Sequence, residues 1–105
     1  MTSVTRLRNR RTHPRHLADG QFVAGVDTHK DIHVFAVLDA AGRLVTTGSV
    51  PTTTPGYAAL LTHCRKYGEL AVVGVEGTSS WGAGLTRHLL GEGITVLEVT
   101  VTSEV

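Results

Sequence analysis

The stretches VAGVD (residues 23–27) and VVGVE (residues 72–76) follow one pattern, in which an apolar run with a central glycine ends in a carboxylate. Short Val-rich runs are typical of strands buried on both faces of a parallel sheet. An unpaired buried charge is costly, so a carboxylate at the end of such a strand indicates a functional position. We predict two neighbouring parallel strands about 4.8 Å apart. Asp27 and Glu76 would then face one crevice at the carboxyl edge of the sheet, where open α/β sheets bind ligands.

Two clustered carboxylates predict a site for a hard cation such as Mg²⁺. Each residue also has a structural alternative. Asp27 begins a predicted polar turn over residues 27–31 and is a candidate turn-capping residue. Glu76 is a candidate for a salt bridge to Lys30 or Arg87. Such a bridge does not explain why both carboxylates follow the same apolar run. The small residues after Glu76, beginning with Gly77, would let a phosphate backbone approach closely.

Length and composition allow one small domain. The chain has 105 residues, 41% of them hydrophobic, and no apolar run approaches the roughly 20 residues of a membrane span. The arginines near the N-terminus are not followed by an apolar segment, so we expect no secretory signal. Cys64 is the single cysteine, which excludes an internal disulfide and favours a reducing, cytoplasmic location.

Charge divides the chain at about residue 20. Residues 1–20 contain five arginines against one aspartate, whereas residues 21–105 contain five basic and eight acidic residues. Because residues 1–20 show no apolar periodicity, we predict a disordered basic arm there and a globular domain over residues 21–105. The arm is either a solvated leader or a non-specific contact for nucleic-acid phosphates.

Apolar periodicity and turn residues predict a mixed α/β domain. The predicted strands cover residues 22–26, 32–38, 43–50, 70–75 and 94–99, and the predicted helices cover 55–67 and 81–90. Short polar links between the first three strands indicate an antiparallel meander. The two later strand–helix–strand crossovers join parallel strands and are right-handed in nearly all proteins. The resulting strand order is 3-2-1-4-5, which begins a ribonuclease-H-like fold.

Other polar and aromatic residues carry weaker signals. Asp39 is expected in a turn, Glu98 is expected to face solvent, and Asp31 is a minor candidate for assisting the site through water. Trp81 opens a predicted helix and is expected in the core. The histidines lack the spacing and cysteine partners of a zinc site, and no Walker-type phosphate loop is present.

Three motifs resemble one family. GVDTHKD (residues 25–31), PTTTPGY (51–57) and GVEGTSSWGAGL (74–85) occur in the order and spacing of the insertion-sequence-110 transposases. These are DEDD transposases with an N-terminal RuvC-like domain, and the resemblance covers about residues 22–99. It implies a ribonuclease-H-like domain that binds Mg²⁺ through four acidic residues, of which the first two match Asp27 and Glu76. It also implies DNA cleavage and strand transfer, a guide-like structured RNA, a homo-oligomeric intact enzyme and no membrane.

The chain departs from that family pattern after Val99. The basic segment that bears the last two acidic residues, and the C-terminal domain with the family's serine nucleophile, are not in this sequence. The resemblance therefore implies a truncated RuvC-like domain with half of a metal site, and we expect no catalysis by this chain alone.

Two other functions remain open at this point. The first lobe of actin-like ATPases and sugar kinases also begins with a strand, an aspartate and two further strands. Those proteins place Gly and Thr or Ser after the aspartate to hold phosphate, whereas this chain has His29, Lys30 and Asp31. The other possibility is a non-enzymatic module that holds nucleic acid through the arginine-rich arm.

Overall fold

A six-stranded mixed sheet and two helices form the computed structural model, which describes residues 3–7 and 17–103. The strands are β1 (Ser3–Leu7), β2 (Gln21–Thr28), β3 (Ile32–Leu38), β4 (Leu44–Pro51), β5 (Glu69–Glu76) and β6 (Thr95–Ser103), and the helices are α1 (Thr54–Arg65) and α2 (Ala83–Gly91).

The order of the strands is β1-β6-β5-β2-β3-β4. The five predicted strands correspond to β2 through β6, and their predicted order 3-2-1-4-5 is confirmed as β4-β3-β2-β5-β6. The strands β2, β3 and β4 form an antiparallel meander, while β2, β5 and β6 are parallel neighbours. This arrangement is consistent with the ribonuclease-H-like fold that the sequence predicts.

The strand β1 differs from the sequence-based expectation. Residues 1–20 were predicted to be a disordered arm, yet Ser3–Leu7 pair antiparallel with the outer edge of β6, from Leu7 opposite Val99 to Ser3 opposite Ser103. This pairing joins the two ends of the chain, and local periodicity carries no information about such a distant partner. The arginines at positions 8 to 15 lie outside the described residues.

The helix α1 begins through side-chain capping. The hydroxyl of Thr53 accepts a hydrogen bond of 3.1 Å from the amide of Gly56, and Pro55 occupies the first turn. Proline fits there because the first amides of a helix have no partner within the helix. The cap is therefore Thr53, and the helix runs from Thr54 to Arg65 rather than over the predicted residues 55–67.

Both helices pack on one face of the sheet. Their buried side chains meet alternate residues of the central strands in one apolar cluster, whose members are Ala24, Val26, Phe35, Val37, Val50, Tyr57, Leu60, Leu61, Cys64, Leu70, Val73, Val75, Leu85, Leu89 and Ile94. Successive strand residues point to opposite faces. Asp27 follows Val26 and Glu76 follows Val75, so both carboxylates project from the face that neither α1 nor α2 covers.

Candidate functional site

The ends of β2 and β5 bring the two predicted carboxylates together. Val26 lies opposite Val75 in the parallel ladder, and Asp27 and Glu76 are the next residues along their strands. Their carboxyl groups lie within hydrogen-bonding reach of each other. The predicted adjacency at the carboxyl edge of the sheet is therefore what the structure shows, except that β2 continues through Asp27 to Thr28, so Asp27 is a strand residue rather than a turn residue.

Proximity changes the acid–base behaviour of the pair. The hydrogen bond to Asp27, partial burial and the negative charge of Asp27 together raise the pKa of Glu76 to about 7, against a smaller opposing effect of His29. Two carboxylates in contact cannot both ionise without repulsion. A divalent cation between them would relieve that repulsion, and carboxylate oxygens are the ligands that Mg²⁺ prefers. The chemistry of the pair thus fits the cation that the sequence predicts.

His29 stands beside the pair. Its Nε2 lies 3.3 Å from Oδ2 of Asp27, and both side chains are more than half exposed. The imidazole therefore contacts one carboxylate from the solvent side. The sequence assigned no role to His29. Local patterns do not show how the turn after β2 folds, and the fold of that turn decides whether the His29 ring reaches Asp27.

The turn after β5 holds Glu76 in place from the backbone side. The hydroxyl of Thr28 donates a hydrogen bond of 2.8 Å to the carbonyl of Glu76. Gly77 then adopts a φ of +66°, and a Cβ there would lie 3.1 Å from the Thr28 hydroxyl and 2.8 Å from that of Ser80. A side chain at this position would push against the link between the two strands, so glycine is needed both for its conformation and for the space.

The salt-bridge alternative for Glu76 finds no support. In the part of the chain that the structure describes, neither Lys30 nor Arg87 forms an ion pair with Glu76, and the ion pairs join His29 to Asp27, Arg43 to Asp39 and Arg65 to Glu92. Over the same residues, no group of three or more His, Cys, Asp or Glu side chains is arranged to hold a metal ion. The acidic pair therefore offers two protein ligands rather than a complete coordination shell.

Asp39 and Glu98 lie where the sequence predicts. The carboxylate of Asp39 accepts hydrogen bonds from the amides of Ala41 and Arg43, as a turn residue does, and the Arg43 amide bond is the main cause that lowers its pKa. Glu98 is exposed and accepts a hydrogen bond of 3.2 Å from the Thr78 hydroxyl. Asp31 is exposed, and its backbone carbonyl accepts a hydrogen bond from the amide of Thr52.

Trp81 departs from its predicted place in the core. Its side chain is 52% exposed, and it lies before α2 rather than within it. The reason is Gly82, which is buried so tightly that an added Cβ would lie 2.7 Å from the Glu76 carbonyl. With Gly82 packed inward, the preceding side chain is turned toward water. An exposed indole thus stands on the short loop that directly follows Glu76.

Among the described residues, no helix has the length and apolar character needed to cross a membrane.

Comparison with known proteins agrees with the geometry. A family model for the DEDD enzymes of insertion sequence 110, described as Transposase, matches residues 24–103. That range includes both carboxylates, both helices and every strand from β3 to β6. No curated protein matches the chain. Since the family model covers most of the sequence and the strand order is the predicted one, the chain belongs to the insertion-sequence-110 family of DEDD transposases.

Proposed function

We propose that Asp27 and Glu76 supply the first two carboxylates of the metal site with which a DEDD transposase cleaves and transfers DNA strands. A role in transposition follows from the family. The observation that supports the metal role is the contact between two carboxylates at the ends of adjacent parallel strands, which raises the pKa of Glu76 to about 7. Bound Mg²⁺ supplies charge stabilisation for the displaced oxygen and orients the attacking group.

The chain's own residues prepare that site. Asp27 and Glu76 present oxygen ligands, and the hydrogen bond from Thr28 fixes the backbone from which Glu76 projects. His29 contacts Asp27 at 3.3 Å, and we propose that it orients this carboxylate. The loop after Glu76 leaves room for a DNA backbone, because glycine at position 77 keeps a side chain away from this edge.

Metal binding is tested by paramagnetic broadening with Mn²⁺, which takes the same oxygen ligands as Mg²⁺. Amide signals near Asp27 and Glu76 should broaden first, and Asp27→Asn or Glu76→Gln should abolish that selectivity. Asp39→Asn is the matched control, since it removes a carboxylate that only closes a turn. Broadening that survives Asp27→Asn, or that centres on Asp39, would contradict the metal role.

The 105-residue polypeptide should not nick DNA by itself. A two-metal displacement requires ions about 3.5–4 Å apart, and two carboxylates cannot fix such a pair. We propose that the active form brings two more acidic ligands to this edge. Mg²⁺-dependent nicking by residues 1–105 that disappears in Asp27→Asn would overturn this reading, whereas nicking that persists would identify a contaminant.

Partners and location extend the same proposal. We propose that DNA, a guide-like structured RNA and further copies of the chain assemble at or near this edge, in the cytoplasm. The family favours this reading over the actin-like ATPase or sugar-kinase lobe. A direct test for ATP binding would reveal such a lobe.

The arginine-rich arm is better tested by replacing Arg8, Arg10 and Arg11 with alanine than by deleting residues 1–20, since the deletion also removes β1. Full loss of DNA binding in that variant would favour the non-enzymatic module.

A further inference from the structure

A polar cleft lies between the start of α1 and the outer side of α2. Its volume is about 490 Å³, which is within the range of small-ligand sites. The cleft is lined by Thr52, Thr53, Thr54, Tyr57, Gly84, Arg87 and His88. The acidic pair projects from the opposite face of the sheet, so this is a separate site.

Tyr57 presents its hydroxyl group to the cleft. The residue is only 8% exposed, and its hydroxyl has no hydrogen-bond partner within the described residues. The ring is fixed by stacking on His33 and by contact with His88, each with ring centroids 5.8 Å apart. A Cβ on Gly84 would lie 2.7 Å from the hydroxyl oxygen, so glycine at this position leaves the space that the hydroxyl occupies. The hydroxyl oxygen is not fully buried, so it can donate a hydrogen bond to a ligand that enters the cleft.

The charge around the cleft is positive. Arg87 is exposed and forms no ion pair in the part of the chain that the structure describes. None of the lining residues is acidic, and the first turn of α1 contains no acidic residue. The amino end of α1 adds a partial positive charge, while its Gly56 and Tyr57 amides already bond to Thr53. A planar guanidinium matches the oxygen pairs of a phosphate group.

The cleft opens at the same edge of the sheet as the acidic pair. The helices α1 and α2 begin directly after β4 and β5, whose ends lie at that edge. The turn between β2 and β3 joins the two places, because Thr52 donates hydrogen bonds from its amide to the carbonyl of Asp31 and from its hydroxyl to the carbonyl of His29. A nucleic-acid strand that passes the carboxylates would therefore have its backbone within reach of the cleft.

We propose that this cleft binds a backbone phosphate of a nucleic-acid strand, with Arg87 as the cation and the Tyr57 hydroxyl as a hydrogen-bond donor. The proposal rests on the proposed function in one respect only, namely that the ligand is nucleic acid. Free phosphate and mononucleotides share the same chemistry, so the experiment includes them as separate ligands.

The experiment measures the affinity of the full chain for a single-stranded oligonucleotide at several salt concentrations. Arg87→Gln should weaken binding and lower the slope of log affinity against log salt by about one, as loss of one phosphate contact does. Tyr57→Phe should weaken binding without changing that slope, because it removes a neutral donor. Arg43→Gln is the matched control, since Arg43 pairs with Asp39 in the turn at the opposite edge. Unchanged binding in both Arg87→Gln and Tyr57→Phe would overturn the proposal.

Two further measurements distinguish failure of the cleft proposal from failure of the proposed metal site. Amide shifts of Thr54, Gly84 and Arg87 on titration with inorganic phosphate or a mononucleotide locate the ligand. If either binds there as tightly as the oligonucleotide, the nucleic-acid assignment is wrong. Loss of Mn²⁺ selectivity in Asp27→Asn together with no effect of Arg87→Gln would retain the metal site and reject the cleft.

Discussion

The hydroxyl of Thr28 donates a 2.8 Å hydrogen bond to the carbonyl of Glu76, which fastens the end of β2 to the end of β5. The side chain of Thr28 is 7% exposed, so solvent competes little for this bond. The bond sets the positions of the two backbones at the point where the carboxylates of Asp27 and Glu76 project. Stability and site geometry therefore depend on the same contact.

Thr28→Val should lower the free energy of unfolding by about 1 kcal/mol, because valine keeps the shape of the side chain but donates no hydrogen bond. The same variant should broaden or shift the amide signals of Gly77 and neighbouring residues. Denaturant unfolding measures the first effect, with Thr46→Val as the control, since Thr46 is half-buried and its hydroxyl contacts only the adjacent carbonyl. Equal losses of unfolding free energy in the two variants would show that the hydrogen bond of Thr28 does not stabilise the fold.

Val75→Ala should cost about 1–3 kcal/mol of unfolding free energy through lost burial and a residual cavity. Val75 is completely buried beneath the helices, whereas Val34 is 42% exposed. Val34→Ala, which deletes the same two methyl groups from a strand, should cost clearly less. The opposite ranking in chemical denaturation would mean that β5 is not the central strand of the core.

His33 should make the protein less stable in acid. Its ring is fully buried with Nε2 unpartnered, and burial is the main cause that lowers its pKa below the ordinary value of 6.5. The folded state thus favours the neutral ring, so this contribution is complete above pH 6.5 and is lost as the pH falls through the lower folded pKa. The contribution of His33 to the unfolding free energy should therefore fall toward acid.

His33→Phe is the variant that tests this assignment, because phenylalanine preserves the stacking on Tyr57 and cannot be protonated. Its stability should depend less on pH below 6.5.

Glu76 acts in the opposite sense. Because its pKa in the folded state is raised, its contribution to the unfolding free energy is complete below pH 4.5 and is lost as the pH rises through about 7. A profile that Glu76→Gln flattens and His33→Phe leaves unchanged would place the main titration at the acidic pair.

Cys64 should be inert toward thiol reagents in the native protein. It is fully buried, and burial raises the pKa of its thiol to about 11, so the reactive thiolate is scarce at neutral pH. Labelling should proceed only as fast as the helix α1 opens, and it should become rapid in denaturant. Rapid labelling of the native chain, measured by mass spectrometry, would show that α1 packs less firmly than the structure indicates.

Local patterns were sufficient for the central strands and for the acidic pair. The runs before Asp27 and Glu76 are continuous and apolar, which by itself indicates strands buried on both faces of a sheet. The cleft was not predictable in the same way, because Tyr57, Gly84 and Arg87 come from two helices whose relative placement is a tertiary property. Trp81 was misplaced for a related reason: the tight packing of Gly82 against the Glu76 carbonyl, rather than helical periodicity, decides which way the indole points.

The hydrogen bond between Thr28 and Glu76 joins residues 48 positions apart, and this separation has a consequence for how the protein is made. The meander of β2, β3 and β4 contains only near neighbours and can form first, whereas pairing of β2 with β5 must close a long loop. During synthesis, a growing chain therefore exposes Asp27 for some time without Glu76. The carboxylate pair forms only when β5 has been added to the sheet. Any cation affinity that the pair confers therefore appears only when the centre of the sheet is complete.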